Sequence, residues 1–361
     1  MVVTFGEIMA RLAPPGFRKF RQHLPGSVNI TFAGAEANVA AAIVLLGGNA
    51  RFVSALPDHA IADACLGQLR GLGIDTQYVL RTNEGRLGLF FLEVGANQRP
   101  SRVVYDRSGA SLGLVPGEKY DWPAIFAGAK WFHVSGITPA VSRLAAAATL
   151  LAVQAAKREG LTVSCDLNFR KQLWTWDGSR KPRDLAEATM RDLLRSVDVL
   201  FANEEDCGEV LGIAAEGANM QSGQLEATRY GDVARRVAQQ FPHLRLIALT
   251  LRESVSATHN NWGAMLYEVS ASLVHLAPRA RERYEPYQIR NIVDRVGAGD
   301  AFAGGLIFAL TRPELQEAKR ALDFATAASC LAHSIDGDFN FSTRAEVEAL
   351  VNGSTSGRVV R

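Results

Sequence analysis

"GAEANVAAAIVLLGG", residues 34–48, starts on a glycine and carries an alanine-rich apolar body. That composition suits a helix packed tightly against its neighbours. The run before it, "VVTFGEI" (2–8), reads as a buried strand, and "RFVSALP" (51–57) after it reads as another. A helix follows through "IADACLGQLRGLG" (61–73). Strand, helix, strand in succession is the repeating unit of a parallel sheet. The rhythm continues: "AKWFHVSG" (129–136), "LTVSCDLNF" (161–169), "SVDVLFAN" (196–203) and "LRLIALTL" (244–251) are short apolar strand candidates. Helical stretches around 139–158, 183–194 and 224–240 separate them. The chain therefore predicts a largely parallel α/β sheet covered by helices.

Two intervals break that rhythm. Residues 11–33 and 86–106 mix extended segments with glycine or proline turns, and read either as a small sheet projecting beside the main domain or as surface hairpins. "AEGANMQSGQLEATRYGD" (215–232) reads as a local insertion or mobile loop. The 361 residues are 48% hydrophobic and 21% charged with a net charge of +2, enough for a large core and without the basic block a nucleic-acid partner would need. Cys65, Cys165, Cys207 and Cys330 are far apart, which fits a reducing cytoplasm rather than a disulfide scaffold. The opening "MVVTFGEIMARLAPP" is too short and too soon charged for a signal peptide or a membrane span. The seven histidines are dispersed and suggest no metal site.

"NIVDRVGAGDAFAGGL" (291–306) carries the chemistry. Gly297, Ala298, Gly299 and Asp300 stand at the mouth of a predicted helix. In one reading the glycines turn the chain and Asp300 caps the helix. In the other, the first amides receive an anion and Asp300 takes a proton from a substrate hydroxyl. No "GxxxxGKS/T" loop is present, and residues 1–40 lack a "GxGxxG" turn, so P-loop and dinucleotide signatures are missing.

Together, "GAEANVAAAIVLLGG" and "DRVGAGDAFAGGL" (294–306) resemble the two signature regions of the PfkB, or ribokinase-like, carbohydrate kinases. "FGEIMARLAPPG" (5–16), "DLNFRKQLW" (166–174) and "TLRESVSATHNNWGAMLY" (250–267) are similar to the 2-keto-3-deoxygluconate kinase branch, and the likeness spans nearly the whole chain. The resemblance implies a single kinase domain over 1–361, with a ribokinase-like three-layer Rossmann-like core and a small β-sheet lid from about 11–33 and 86–106. It also implies ATP and Mg2+, a homodimer through the lid, and phosphorylation of the sugar acid at its terminal (6-) hydroxyl. Another sugar or sugar-acid kinase of the same family is the alternative; a non-catalytic sugar-binding protein is the alternative of a different class.

The family pattern makes Asp300 the general base, with Gly297, Ala298 and Gly299 as the anion hole and Arg170 on the transferred charge. On the acceptor side it implies Gly34, Asn38, Asn29, Phe90, Tyr105, Arg107, Asp166, Asn168 and Asp338, with Arg107 and Arg170 gripping a carboxylate. Phe90 packs where a tyrosine would add a hydroxyl, which leaves specificity open. Nucleotide contacts fall to Asn203, Thr250, Arg252, Ala327 and Cys330 as well as Gly297 and Gly299. "NEED" (203–206) resembles the family's "NxxE" with Asp206 in the acidic place, so Asn203, Asp206 and Asp294 are expected to position magnesium indirectly rather than to form a dedicated metal site.

Overall fold

The computed structural model describes residues 1–214, 227–280 and 283–353. Most of the stretch read as an insertion, residues 215–226, lies outside the described residues. Six strands run parallel in the order Ala50–Val53, Val2–Phe5, Trp131–Ser135, Thr162–Asp166, Val199–Asn203 and Leu246–Ser256. His259–Glu268 turns back antiparallel, and both Leu273–Ala277 and Tyr287–Ile289 pair with it, completing a nine-stranded sheet.

The continuous apolar runs are explained by burial on both faces. Val3, Phe5, Phe132, Val134, Leu200 and Leu249 point into one apolar layer with the Arg143–Arg158 and Pro182–Leu194 helices. Their alternates Val2, Phe52, Trp131, Val199, Phe201 and Ala248 point into the other, with Ala35–Leu45, Ala60–Gly71, Ala298–Leu310 and Ala318–Ala332. Each fully buried large side chain contributes about 1.5–3 kcal/mol. The core is thus three layers, helices on both sides of a mostly parallel sheet.

The alanine-rich helix spans Ala35–Leu45 with Gly34 as its N-cap. It lies against Ala298–Leu310, where a Cβ on Gly304 would come 2.7 Å from the Ala42 Cβ. Only glycine lets the two signature helices approach this closely.

Two elements differ from expectation. "RFVSALP" is not one strand: Ala50–Val53 stays in the sheet, while Ala55–Pro57 leaves to pair with Leu80–Thr82. The helix expected around 139–158 is broken into Ile137–Val141 and Arg143–Arg158, because Ser142 is extended and its hydroxyl caps the second by accepting from the Ala145 amide at 3.0 Å.

The intervals at 11–33 and 86–106 form a four-stranded sheet in the order Asn29–Ala33, Met9–Ala13, Gly88–Glu93, Arg102–Asp106. The first of these strands in the chain, Met9–Ala13, begins two residues before the expected boundary. On the face toward the main domain's cleft, Met9, Ala13, Ala33, Phe90 and Leu92 form a small apolar cluster. On the other face Ile30, Leu12, Phe91 and Val104 lie in one cross-strand row.

Candidate active site

Beneath that small sheet a cleft of about 390 Å³ opens at the carboxyl ends of the parallel strands. Ligands of open α/β sheets bind at this end. Asp166 and Asn203 each finish a strand, and Thr250 lies in register with Asn203 on the next one. Polar side chains come to one wall because adjacent parallel strands end at the same height.

Asp300 is the third residue of the Ala298–Leu310 helix, whose N-cap is Gly297 at φ +82° without a side-chain cap. The capping reading of Asp300 therefore does not hold. Its Oδ2 accepts instead from Asn38 Nδ2 at 2.7 Å, joining the two signature helices across the floor of the cleft. Gly297 is needed twice over: its backbone is left-handed, and a Cβ there would meet the Asp338 carbonyl at 2.4 Å. The turn exposes the amides at the helix start, where the dipole favours an anion.

Burial, with the nearby charges of Asp338 and Glu36, pushes the Asp300 carboxyl up to about 7, against the pull of its Asn38 hydrogen bond and of Arg170. Asp166 rises to about 7 through burial and then the charge of Asp300. Asp206 rises to about 7 through burial and then the charge of Asp166. Arg170 draws all three back down. Three buried acids thus lie within the field of Arg170. Among the described residues no group of three His, Cys, Asp or Glu side chains could hold a metal by itself. Asp166, Asn203 and Asp206 nevertheless offer hard oxygen donors on one wall, and carboxylates raised by burial and then by their neighbours' charge suit a divalent cation that arrives with other oxygen ligands.

The cleft gathers most of the expected residues: Gly34, Asn38, Phe90, Tyr105, Asp166, Asn168, Arg170, Asn203, Asp206, Thr250, Arg252, Gly297, Ala298, Gly299, Asp300 and Asp338. Some have architectural duties as well. Asn203 caps the Glu204–Leu211 helix by accepting from the Asp206 amide at 2.8 Å. Asn168 holds a left-handed backbone at φ +37°, which asparagine tolerates, and its amide reaches Asp166 Oδ1 at 3.1 Å.

Five residues sit elsewhere. Asn29 is exposed at the far end of the lid. Arg107 is buried in an ion pair with Glu7 and borders a separate hollow with Gln172 and Thr175. A buried carboxylate has claimed the guanidinium expected to grip substrate. Ala327 is fully buried in the core and Cys330 does not line the cleft. Asp294 is buried against Arg11.

Asn260, Trp262, Arg295 and His333, which were not among the expected residues, also line the cleft. Trp262 meets His333 edge-on with centroids 4.9 Å apart. Asn260 and Trp262 share one face of a strand, a period-two signal that was present in "THNNWG". Nothing in the sequence pointed to His333, which reaches the cleft only because the Ala318–Ala332 helix ends there.

A buried carboxylate at a helix start, a left-handed glycine turn beside it and a sheet over both suit a phosphotransferase acting on an alcohol. The pfkB family carbohydrate kinase pattern matches residues 1–233 and 255–341. The 2-dehydro-3-deoxygalactonokinase of Haloferax volcanii is 31% identical over 356 residues, covering 99% of this chain and 98% of that protein. The crystal structure of 2-dehydro-3-deoxygluconokinase from Thermotoga maritima is 42% identical, with a TM-score of 0.87 and 98% of each chain covered. A fructokinase from Xylella fastidiosa with bound ATP, 22% identical, shares the fold at a TM-score of 0.74 over 98% of this chain and 99% of that one. The chain belongs to the pfkB family of carbohydrate kinases.

Proposed function

We propose that the protein transfers the terminal phosphoryl group of ATP to the 6-hydroxyl of 2-keto-3-deoxygluconate. The carrying observation is the Asn38–Asp300 hydrogen bond under the lid, which sets a carboxylate and an amide side chain at one floor position. Asp300 accepts the hydroxyl proton as the acceptor oxygen attacks phosphorus and the bond to the departing diphosphate breaks. The amides of residues 297–300 and the Arg170 guanidinium meet the charge that spreads over the phosphoryl oxygens. Magnesium would be placed by Asp166, Asn203 and Asp206, and would supply charge neutralisation on the phosphates. The lid face of Met9, Phe90 and Leu92 excludes water from the transfer.

The acidic acceptor is supported by Arg170 opposite Asp300 and by the named activities of the Haloferax and Thermotoga relatives. The Haloferax relative also favours a second reading, in which the acceptor is the C4 epimer, 2-keto-3-deoxygalactonate. A panel of both acids, fructose, ribose and adenosine, with ATP and Mg2+, tests the assignment. The expected result is kcat/KM for one of the acids at least tenfold above the neutral compounds; preference for a neutral sugar rejects the acid assignment and leaves the family intact. We further propose that the outer lid face is covered by a second copy of the chain, since Ile30 and Val104 stand 59% and 63% exposed in an apolar row.

A further inference from the structure

We propose that Arg11, carried on the lid, is a positioning residue that holds the 297–300 turn in its anion-receiving shape; this rests on the reading of that turn as the phosphate site. Arg11 lies on the Met9–Ala13 strand, yet its side chain is only 3% exposed and spans two acids, Asp294 at 1% and Asp338 at 3%. One guanidinium nitrogen donates to Asp338 Oδ1 at 2.6 Å and the other to Asp294 Oδ2. The nearby Asp336 carboxylate, 3.9 Å away, is largely in solvent.

Both buried acids are built into the turn. Asp294 Oδ1 receives the amides of Arg295 at 2.8 Å and Val296 at 3.1 Å, which fixes the approach to Gly297. The Asp338 carbonyl oxygen lies 2.4 Å from where a Gly297 Cβ would stand, which bounds the turn from the other side. Val296 packs against the lid's apolar cluster of Met9, Ala13, Ala33, Phe90 and Leu92. The lid strand and the turn are therefore clamped together at a polar and an apolar contact.

The charge of Arg11 has a second effect. Two buried carboxylates behind an anion site would repel the incoming phosphoryl oxygens, and one guanidinium offsets most of that field. A lysine offers one compact charge and cannot bridge both acids with a planar fork. Arg11 thus acts on the chemistry through the turn, without touching substrate.

The test compares Arg11→Lys and Arg11→Met in the parent and in an Asp294→Asn background, using whichever acceptor the parent turns over. Expected for Arg11→Met is a fall in kcat of about 10- to 100-fold with acceptor KM changed less than about threefold, as for a displaced transition-state contact. Arg11→Lys falls between it and the parent, and the Arg11→Met loss is smaller in the Asp294→Asn background because the two act as a unit. Equal losses in both backgrounds, or kcat within twofold of the parent, overturn the proposal. Amide exchange at residues 295–300, read without any acceptor, separates this from failure of the functional assignment. Faster exchange in Arg11→Lys supports the clamp, and unchanged exchange overturns it whether or not the protein proves to phosphorylate a sugar acid.

Discussion

Asp300, proposed as the base, shows how a buried carboxyl weakens the fold that holds it. Its carboxyl is raised from 3.8 to about 7, chiefly by burial. The unfolded chain releases this proton near pH 4 while the folded chain keeps it to about pH 7, so stability from this group is full below pH 4, declines between them and is flat above. Asp300→Asn keeps an acceptor for Asn38 and removes the ionisation. Its melting temperature should exceed the parent's by several degrees at pH 8, with the gain gone at pH 4, while turnover falls about 10²–10⁴-fold. The parent's kcat/KM should fall on the acid side as Asp300 takes up its proton near pH 7. A pH series of melting curves and initial rates checks both; an unaltered rate in the folded variant removes Asp300 from the base role. The two arginines divide in the same residue-level way. Arg170→Gln should penalise the acid acceptor more than its amidated analogue, because Arg170 lies in the cleft. Arg107→Gln should instead leave Glu7 buried without its cation and cost about 3–5 kcal/mol of stability in urea unfolding, with equal effect on both acceptors.

At the scale of elements, the site depends on the contact between the Ala35–Leu45 and Ala298–Leu310 helices, since Asn38 comes from one and Asp300 from the other. Gly304→Val places branched methyls against Ala42 and the Val39 carbonyl. Overpacking of this kind costs about 1–3 kcal/mol. Urea unfolding should show that loss, and kcat should fall with it as the Asn38–Asp300 pair is spread; full activity in a destabilised variant would uncouple helix spacing from catalysis. Both helices were readable in the sequence because a small-residue body bounded by glycines leaves few alternatives. The Ala55–Pro57 departure was not, since an apolar run says that a strand is buried without saying in which sheet. Side-chain partners were less visible still. "VVYDR" shows a cation near the lid, but that Glu7 would occupy it follows only from loop segments 100 positions apart meeting at Arg107. Arg11 escaped notice for the same reason, its acids lying 283 and 327 positions away.

For the whole molecule the unresolved economy is that of the lid. The face of this four-stranded sheet turned away from the cleft packs partly on the main core through Ala10 and Phe32, and beyond them presents the row Ile30, Leu12, Phe91, Val104, whose ends Ile30 and Val104 are exposed. Sheets facing water ordinarily alternate polar residues outward, so an apolar outer row calls for a cover. A twofold pairing uses each residue twice, so burying the remaining exposed part of Ile30 and Val104 in both copies contributes about 1–2 kcal/mol for each of four side chains, against an association cost of about 4–15 kcal/mol. Those two positions alone are marginal; the half-buried Leu12 and Phe91 between them make the row long enough. The parent should therefore run as a dimer at micromolar concentration in light-scattering chromatography. Ile30→Asp and Val104→Asp should each shift it to monomer, because every charge enters the contact twice. Neither residue faces the cleft, so loss of turnover in the monomers would have to come through the lid's stiffness: acceptor KM should rise while the ATP KM holds. A parent that elutes as a monomer, or aspartate variants that remain dimers, would require a different cover for this face.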